Sequence, residues 1–246
     1  MTLEASIWSS PPASFALLED EVHVWRLGLE RSSEEFRPLL ETEELARANR
    51  FYFEKDRQHF VVARGFLRVL LGRYLGADPK QLQFSYGAWG KPALDGEFRE
   101  SVLRFNMSHS HGVALYAVTE GREIGVDVEH VRPDFASDSV ARRFFSPNEV
   151  GVLCELPEDD RVAAFFRCWS RKESYIKATG RGLSQPLDGF DVTLGSEDNV
   201  ALLRTDDGSH ERWTLVDIAV GPGYAAALAV EKPVGKIRYW DADDRD

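Results

Sequence analysis

A chain of 246 residues has room for one large domain or two small ones, and with 43% hydrophobic and 29% charged residues it can bury a sizeable core and leave disorder to its ends. The net charge of −11 argues against nucleic acid as the main partner, because a phosphate backbone needs a basic footprint. A compact anion stays open, since basic residues cluster locally: Arg47, Arg50, Lys55, Arg57, Arg64, Arg68 and Arg73 in one stretch, Arg167, Arg171, Lys172, Lys177 and Arg181 in another.

Two cysteines, Cys154 and Cys168, with no histidine pair nearby, fit a reducing compartment and offer neither a disulfide framework nor a zinc site. The amino terminus has no basic segment followed by an apolar stretch. No apolar run reaches membrane-spanning length; Ala225 to Val230 is among the longest. A cytoplasmic protein is expected.

In chain order, a loop through Pro11 and Pro12 leads to a predicted strand at Val22 to Leu27. A helix begins near Glu41, and a second runs from about Asp56 to Leu75, stopped by Gly76 and Pro79. A loop from Tyr86 to Pro92 follows. Strands are then expected at Arg104 to Met107, Val113 to Thr119 and Ile124 to Glu129, the last two joined by the turn Glu120-Gly121-Arg122. A helix around Ala136 to Phe145 precedes Ser146-Pro147-Asn148-Glu149, a capping box with proline at the first helical position. A long helix spans about Asp160 to Thr179 and ends at Gly180. Strands at Phe190 to Leu194, Leu202 to Leu203, Trp213 to Ile218 and Tyr224 to Val230 complete the chain, and the acidic tail from Asp241 is expected to be solvated. Helices and short strands mix in both halves, which predicts an α+β architecture.

Some residues break the pattern around them. Val162, Phe165, Phe166, Trp169 and Ile176 form one apolar stripe on the long helix, and Glu173 falls inside it. A carboxylate there must change its protonation state or meet a cation; a half-buried pair with Lys177, one turn on, is the structural alternative. Arg64 interrupts the stripe Phe60, Leu67, Leu71, Leu75 in the same way. It either snorkels or pairs with a glutamate, or it holds a phosphate. In Gly125-Val126-Asp127-Val128-Glu129 the two acids share one strand face. About 7 Å apart, they repel by roughly 2 kcal/mol unless a hard cation such as Mg²⁺ reverses the sign, the alternative being a solvent-facing strand edge. Finally, Phe105-Asn106-Met107-Ser108-His109-Ser110-His111 reads as a strand ending in a polar loop, where His109 is either an ordinary loop residue or a donor to phosphate.

The order and spacing of these segments carry more than any one of them. Gly90-Lys91-Pro92, Phe105 to Ser110, Gly125 to Glu129, Arg143-Phe144-Phe145-Ser146-Pro147-Asn148-Glu149 and Trp169 to Leu183 together resemble the Sfp-type phosphopantetheinyl transferases, and Phe51 to Leu71 resembles that family's preceding helix. The resemblance implies a pseudo-dimer of two similar α/β halves, residues 1–120 and 121–246, with the active site in the cleft between them, and a monomer. It implies transfer of 4′-phosphopantetheine from coenzyme A to a serine hydroxyl of an apo acyl or peptidyl carrier protein, with Mg²⁺ and release of 3′,5′-ADP.

By position, Asp127, Glu129 and Glu173 resemble the metal ligands and Lys177 the lysine that meets the phosphates and the leaving group. Ser108 and His109 resemble phosphate contacts; Gly90, Lys91 and Pro92 resemble the segment near the adenine. Arg47 and Arg64 are expected at the 3′-phosphate, although Glu44 occupies a place that is often basic in the family. The base for the serine is Glu149, Glu173 or a metal-bound water. Glutamine at position 149 would cap the helix but accept no proton, so Glu149→Gln is expected to keep the melting temperature and lose activity. Docking of an acidic carrier is expected on Arg181 to Phe190, where Gly182, Leu183, Pro186 and Leu187 offer apolar contact. A carrier-binding module without turnover and a metal-dependent phosphohydrolase are the alternatives. The acids together with Lys177 disfavour the first, and the match through Lys91 and His109 disfavours the second.

Overall fold

The computed structural model describes residues 7–195 and 200–244. Strands β1 (Glu21–Gly28), β4 (Leu103–Ser110), β5 (Val113–Glu120) and β11 (Lys236–Asp241) form one sheet in the order β11-β1-β5-β4. Strands β6 (Ile124–His130), β9 (Trp213–Asp217) and β10 (Tyr224–Glu231) form a second, ordered β6-β10-β9. Helix α2 (Glu54–Leu75) packs on the first sheet and α5 (Glu158–Thr179) on the second.

Alternation along the strands builds the layers. On β1, Trp25 and Leu27 join the α2 core, while Val22 and Val24 join a core between the sheets. Tyr116 and Val118 of β5 point toward α2 and Leu115 and Ala117 toward the second sheet, where Ile124, Val126 and Val128 of β6 meet them. The result is helix, sheet, sheet, helix. Because the even-numbered side chains of β6 fill the core between the sheets, Gly125, Asp127 and Glu129 are turned the other way, toward α5.

Both long helices end where the sequence predicts, at glycines in the left-handed region: Gly76 with φ 64° and Gly180 with φ 67°. The capping box at Ser146 and Glu149 opens α4 (Pro147–Glu155), which follows α3 (Asp138–Phe144). Glu41 and Glu44 make a second capping box at α1 (Thr42–Ala48). The stretch read as a loop from Tyr86 to Pro92 is the turn of a hairpin between β2 (Gln83–Tyr86) and β3 (Pro92–Asp95). The strand expected at Phe190 to Leu194 shrinks to β7 (Asp191–Val192), which pairs with β8 (Leu202–Arg204).

The carboxyl terminus adds a strand to the first sheet and departs from its expected solvation. The segment after Pro233 returns to the first sheet as β11, parallel to β1, so the two sheets do not divide at residue 120 alone. The acidic tail is also partly structural: Asp241 pairs with Arg26, Asp243 pairs with Arg31 and accepts from the Gly28 amide, and Ala242 is buried. Arginines near the end of β1 hold what composition assigns to solvent.

Candidate active site

The site is built where α5 comes closest to β6. A Cβ at Gly125 would overlap the Ser174 carbonyl oxygen and the Ala178 amide nitrogen, so only glycine lets the helix backbone lie against the strand here. Two residues on, Asp127 meets Lys177 of the same helical turn. Lys177 Nζ donates to Asp127 Oδ1 at 2.6 Å and to Ser108 Oγ at 2.9 Å, and Ser108 Oγ donates to the same Oδ1 at 3.0 Å. Lys177 therefore pairs with Asp127 across elements and not with Glu173 along its own helix. Asp127 is 2% exposed, and its second oxygen, Oδ2, is buried without a hydrogen-bond partner.

Two more carboxylates share this neighbourhood. Glu129 accepts from Ser110 Oγ at 3.2 Å, and its carboxyl is pushed up to about 7 by burial first, then by the charge of Asp127, with Glu173 adding to it. Glu173 is half-buried, and burial and the Asp127 charge raise its carboxyl as well. No hydrogen bond or ion pair closes on Glu173 among the described residues. As placed, no three acidic, histidine or cysteine side chains among the described residues converge into a ready coordination shell. The chemistry still fits a hard divalent cation. Three crowded, under-neutralised carboxylates, one with an orphaned buried oxygen, lack the positive charge that an oxygen-seeking ion supplies.

Alternation on β4 separates a second group of candidates from these acids. Ser108 and Ser110 reach the carboxylates, whereas Met107 and His109 line a cleft of about 1000 Å³. Arg47, Arg64, Gly90 and Pro92, all expected at the ligand, line it too, with Arg50, Tyr86 and Glu44. His109 reaches solvent, yet the protein around it and the charges of Lys177, His59 and Arg47 lower its imidazole pKa. Among the described residues no carboxylate lies within ion-pair distance of Arg47 or Arg50; the Arg47 guanidinium lies 5.4 Å from the centre of the Phe60 ring.

Lys91 and Arg64 are held by partners within the protein. Lys91 Nζ donates to Glu123 at 2.8 Å, the Ala178 carbonyl at 2.9 Å and the Ile124 carbonyl at 3.2 Å, tying the β2–β3 hairpin to the end of α5. Arg64 is 5% exposed and pairs through Nε with Glu44, the glutamate partner its structural alternative required. Glu44 also accepts from Arg68 Nε at 2.8 Å. Burial alone would raise the Glu44 carboxyl, but Arg64, the Glu41 amide and Arg68 together hold it below the usual carboxylate range.

Glu149 is 2% exposed and caps α4, with Oε2 accepting from the Ser146 amide and Oε1 from the Val192 amide, each at 2.8 Å. Its Oε2 also lies 2.8 Å from Nζ of Lys172, which is fully buried and donates to the Leu187 and Phe190 carbonyls at 2.6 Å. The carboxyl is raised because burial outweighs these partners. Every oxygen of Glu149 is committed inside the α5 core, and none of its partners belongs to the Asp127 cluster. Of the expected docking stretch, Leu187 is 7% exposed and belongs to the core; the side chain of Leu183 lies outside the described residues.

The burial of Lys172 and Arg68 and the part played by Glu44 and Tyr86 are not legible in the sequence. A helical wheel puts Lys172 beside the apolar stripe, and only the tertiary fold supplies the carbonyls that its long chain reaches. For Glu44, the signal was its appearance opposite Arg64 where a second cation was expected.

Comparison with known proteins bears on the whole chain. A family model described as "4'-phosphopantetheinyl transferase, N-terminal" matches residues 30–120, and one described as "4'-phosphopantetheinyl transferase superfamily" matches residues 123–229. The 4'-phosphopantetheinyl transferase HetI of Nostoc sp. (strain PCC 7120) is 41% identical over 236 residues, 95% of this chain and 97% of the relative. The 4'-phosphopantetheinyl transferase Sfp of Bacillus subtilis (strain 168) is 31% identical over 204 residues, 83% of this chain and 88% of the relative. Likeness of this extent spans both sheets and both long helices, and it makes the chain a member of the 4'-phosphopantetheinyl transferase superfamily.

Proposed function

We propose that this enzyme transfers the 4′-phosphopantetheine group of coenzyme A to a serine hydroxyl of an apo acyl or peptidyl carrier protein, releasing 3′,5′-ADP. The observation that carries the reading is Lys177 fixed between Ser108 and Asp127, with Glu129 and Glu173 beside it and a cationic cleft across β4. A pyrophosphate donor needs this combination: positive groups for its oxygens, and acids that can share a metal with them.

The serine oxygen attacks the β-phosphorus, the bond from that phosphorus to the bridging oxygen breaks, and the bridging oxygen leaves with the nucleotide. Lys177, half-exposed, can turn its ammonium group from Asp127 to the phosphate and offset charge on the departing oxygen. Arg47, Arg50 and His109 hold the nucleotide phosphates in the cleft; an anion there would return the His109 pKa upward and favour a second donated proton. Asp127, Glu129 and Glu173 would hold Mg²⁺, and the bound ion would neutralise the pyrophosphate. The serine proton has a receiver in the same cluster, the Glu173 carboxylate, on which no hydrogen bond or ion pair closes among the described residues.

The two halves of the proposed pseudo-dimer are residues 1–120 with the returning β11, and the chain from 121 to the start of β11. Each contributes a 22-residue helix stopped by a left-handed glycine and laid on its own sheet. We read the protein as a cytoplasmic monomer; among the described residues no helix is long and apolar enough to cross a membrane.

Mass spectrometry of an apo carrier protein incubated with coenzyme A and Mg²⁺ tests the reading. The carrier should gain one phosphopantetheine group, with one 3′,5′-ADP formed per carrier. Nucleotide hydrolysis with the carrier unmodified would mean a phosphohydrolase, and binding without any product would mean a carrier-binding module.

A further inference from the structure

We infer that Tyr86 is the stacking platform for the base of the nucleotide donor, and that Glu44 and Arg64 are positioning residues that hold it; this rests on coenzyme A as the donor. Among the described residues, three six-membered aromatic rings line the cleft: Phe51, Phe60 and Tyr86. Phe51 and Phe60 pack on each other with centroids 5.5 Å apart, and Arg47 covers Phe60. Tyr86 is 46% exposed, at the point where β2 enters its turn and faces Pro92 of β3. A planar base is the one part of the donor that gains from such a surface.

An exposed tyrosine ordinarily has a free hydroxyl and a mobile ring. Here the hydroxyl accepts from Arg64 Nη2 at 2.6 Å. The Arg64 guanidinium lies 4.3 Å from the centre of the Phe84 ring, and its Nε is taken by Glu44. Glu44 is itself locked by Arg68 at 2.8 Å and by the Glu41 amide at 2.9 Å. A chain of fixed groups thus runs from α1 and α2 to the hydroxyl of Tyr86 and restricts the ring before any ligand arrives. The charge balance points the same way. Glu44 offsets Arg64, which leaves it poorly suited to take a phosphate, while Arg47 and Arg50 keep their charge for that task. Arg64, read from the sequence as a phosphate contact, becomes a residue that orients an aromatic side chain.

Calorimetric binding of two probes tests this: 3′,5′-ADP, and 1-O-methylribose 3,5-bisphosphate, which carries the phosphates without the base. Wild type should prefer the base-bearing probe by about tenfold, the scale of one base stacked on one ring. Tyr86→Ala should cut that preference to about twofold or less and leave affinity for the base-free probe unchanged, while Tyr86→Phe, which keeps the ring but loses the hydroxyl that Arg64 holds, should retain only part of it. Glu44→Gln should shrink the base preference and tighten the base-free probe, because it loosens the ring and removes an anion; a folding defect would weaken both. An unchanged preference in Tyr86→Ala overturns the platform, and parallel changes for both probes in Glu44→Gln overturn the positioning role. If wild type binds neither probe, the coenzyme A reading itself fails and this inference falls with it.

Discussion

At Glu149 two roles compete for one carboxylate, and the partners around it favour the structural one. Read from the sequence, Glu149 caps a helix and is a candidate base, and glutamine would separate the roles without a stability cost. Lys172 changes that argument. Its buried ammonium group depends on Glu149, at 2.8 Å, for its countercharge, and glutamine cannot supply one. Breaking a buried pair on one side costs about 3–5 kcal/mol, so Glu149→Gln should lower the unfolding free energy by about 3 kcal/mol with the cap intact. The folded fraction should still turn over at the wild-type rate. The double variant Glu149→Gln, Lys172→Met should recover much of the loss in denaturant unfolding. A melting temperature unchanged in the single variant, with activity lost, would return Glu149 to the chemistry.

His23 supplies a pH test at the same scale. It is 2% exposed, with Nδ1 2.6 Å from the Tyr74 hydroxyl and Nε2 3.5 Å from a Glu21 oxygen. Burial lowers its pKa from 6.5 despite the opposing pull of Glu21. The sign follows from linkage: the unfolded chain takes up the proton first as pH falls below about 6.5, so the stability due to neutral His23 is present above that value and lost beneath it. Melting temperature should therefore fall between pH 7.5 and 5.5 in the wild type, and His23→Gln should flatten the curve. Parallel curves would remove His23 from the account.

Among the elements, the pairing of α5 with β6 carries the site. The apolar stripe on α5 and the alternation on β6 were readable in the sequence, as was the misfit of Glu173 within its stripe. The glycine that brings the two backbones together was not, because a glycine in a strand reads as a weakness until the helix across it is known. Gly125→Ala should cost about 1–3 kcal/mol of overpacking and, by pushing α5 from β6, separate Lys177 from Asp127. Transfer should drop far more than stability does, measured by turnover and thermal unfolding of one preparation. Loss of stability alone would mean that the helix can shift without disturbing the lysine.

The same limits of reading apply to Arg64 and β11. The misplaced charge of Arg64 was visible, but its partner Glu44 is twenty positions away on another helix, a distance that periodicity does not span. Strand β11 alternates Ile237 and Tyr239 with charged residues and pairs with a strand more than two hundred positions earlier, so local pattern alone carried too little of it.

Across the whole molecule, a strongly acidic chain keeps a cationic cleft on one side of a strand and a carboxylate cluster on the other. Segregating the two by the faces of β4 prevents Arg47 and Arg50 from pairing with Asp127 and leaves both sets available to one charged substrate. The claim that joins them is that Asp127 organises the phosphates of coenzyme A, with Lys177 and a divalent ion. Asp127→Ala, checked by circular dichroism for an unchanged fold, tests it most directly in carrier modification with Mg²⁺ as the added metal. Phosphopantetheine transfer should fall at least about a hundredfold, the scale on which a positioned charge-stabilising group contributes. Near-normal transfer by the folded variant would contradict the account.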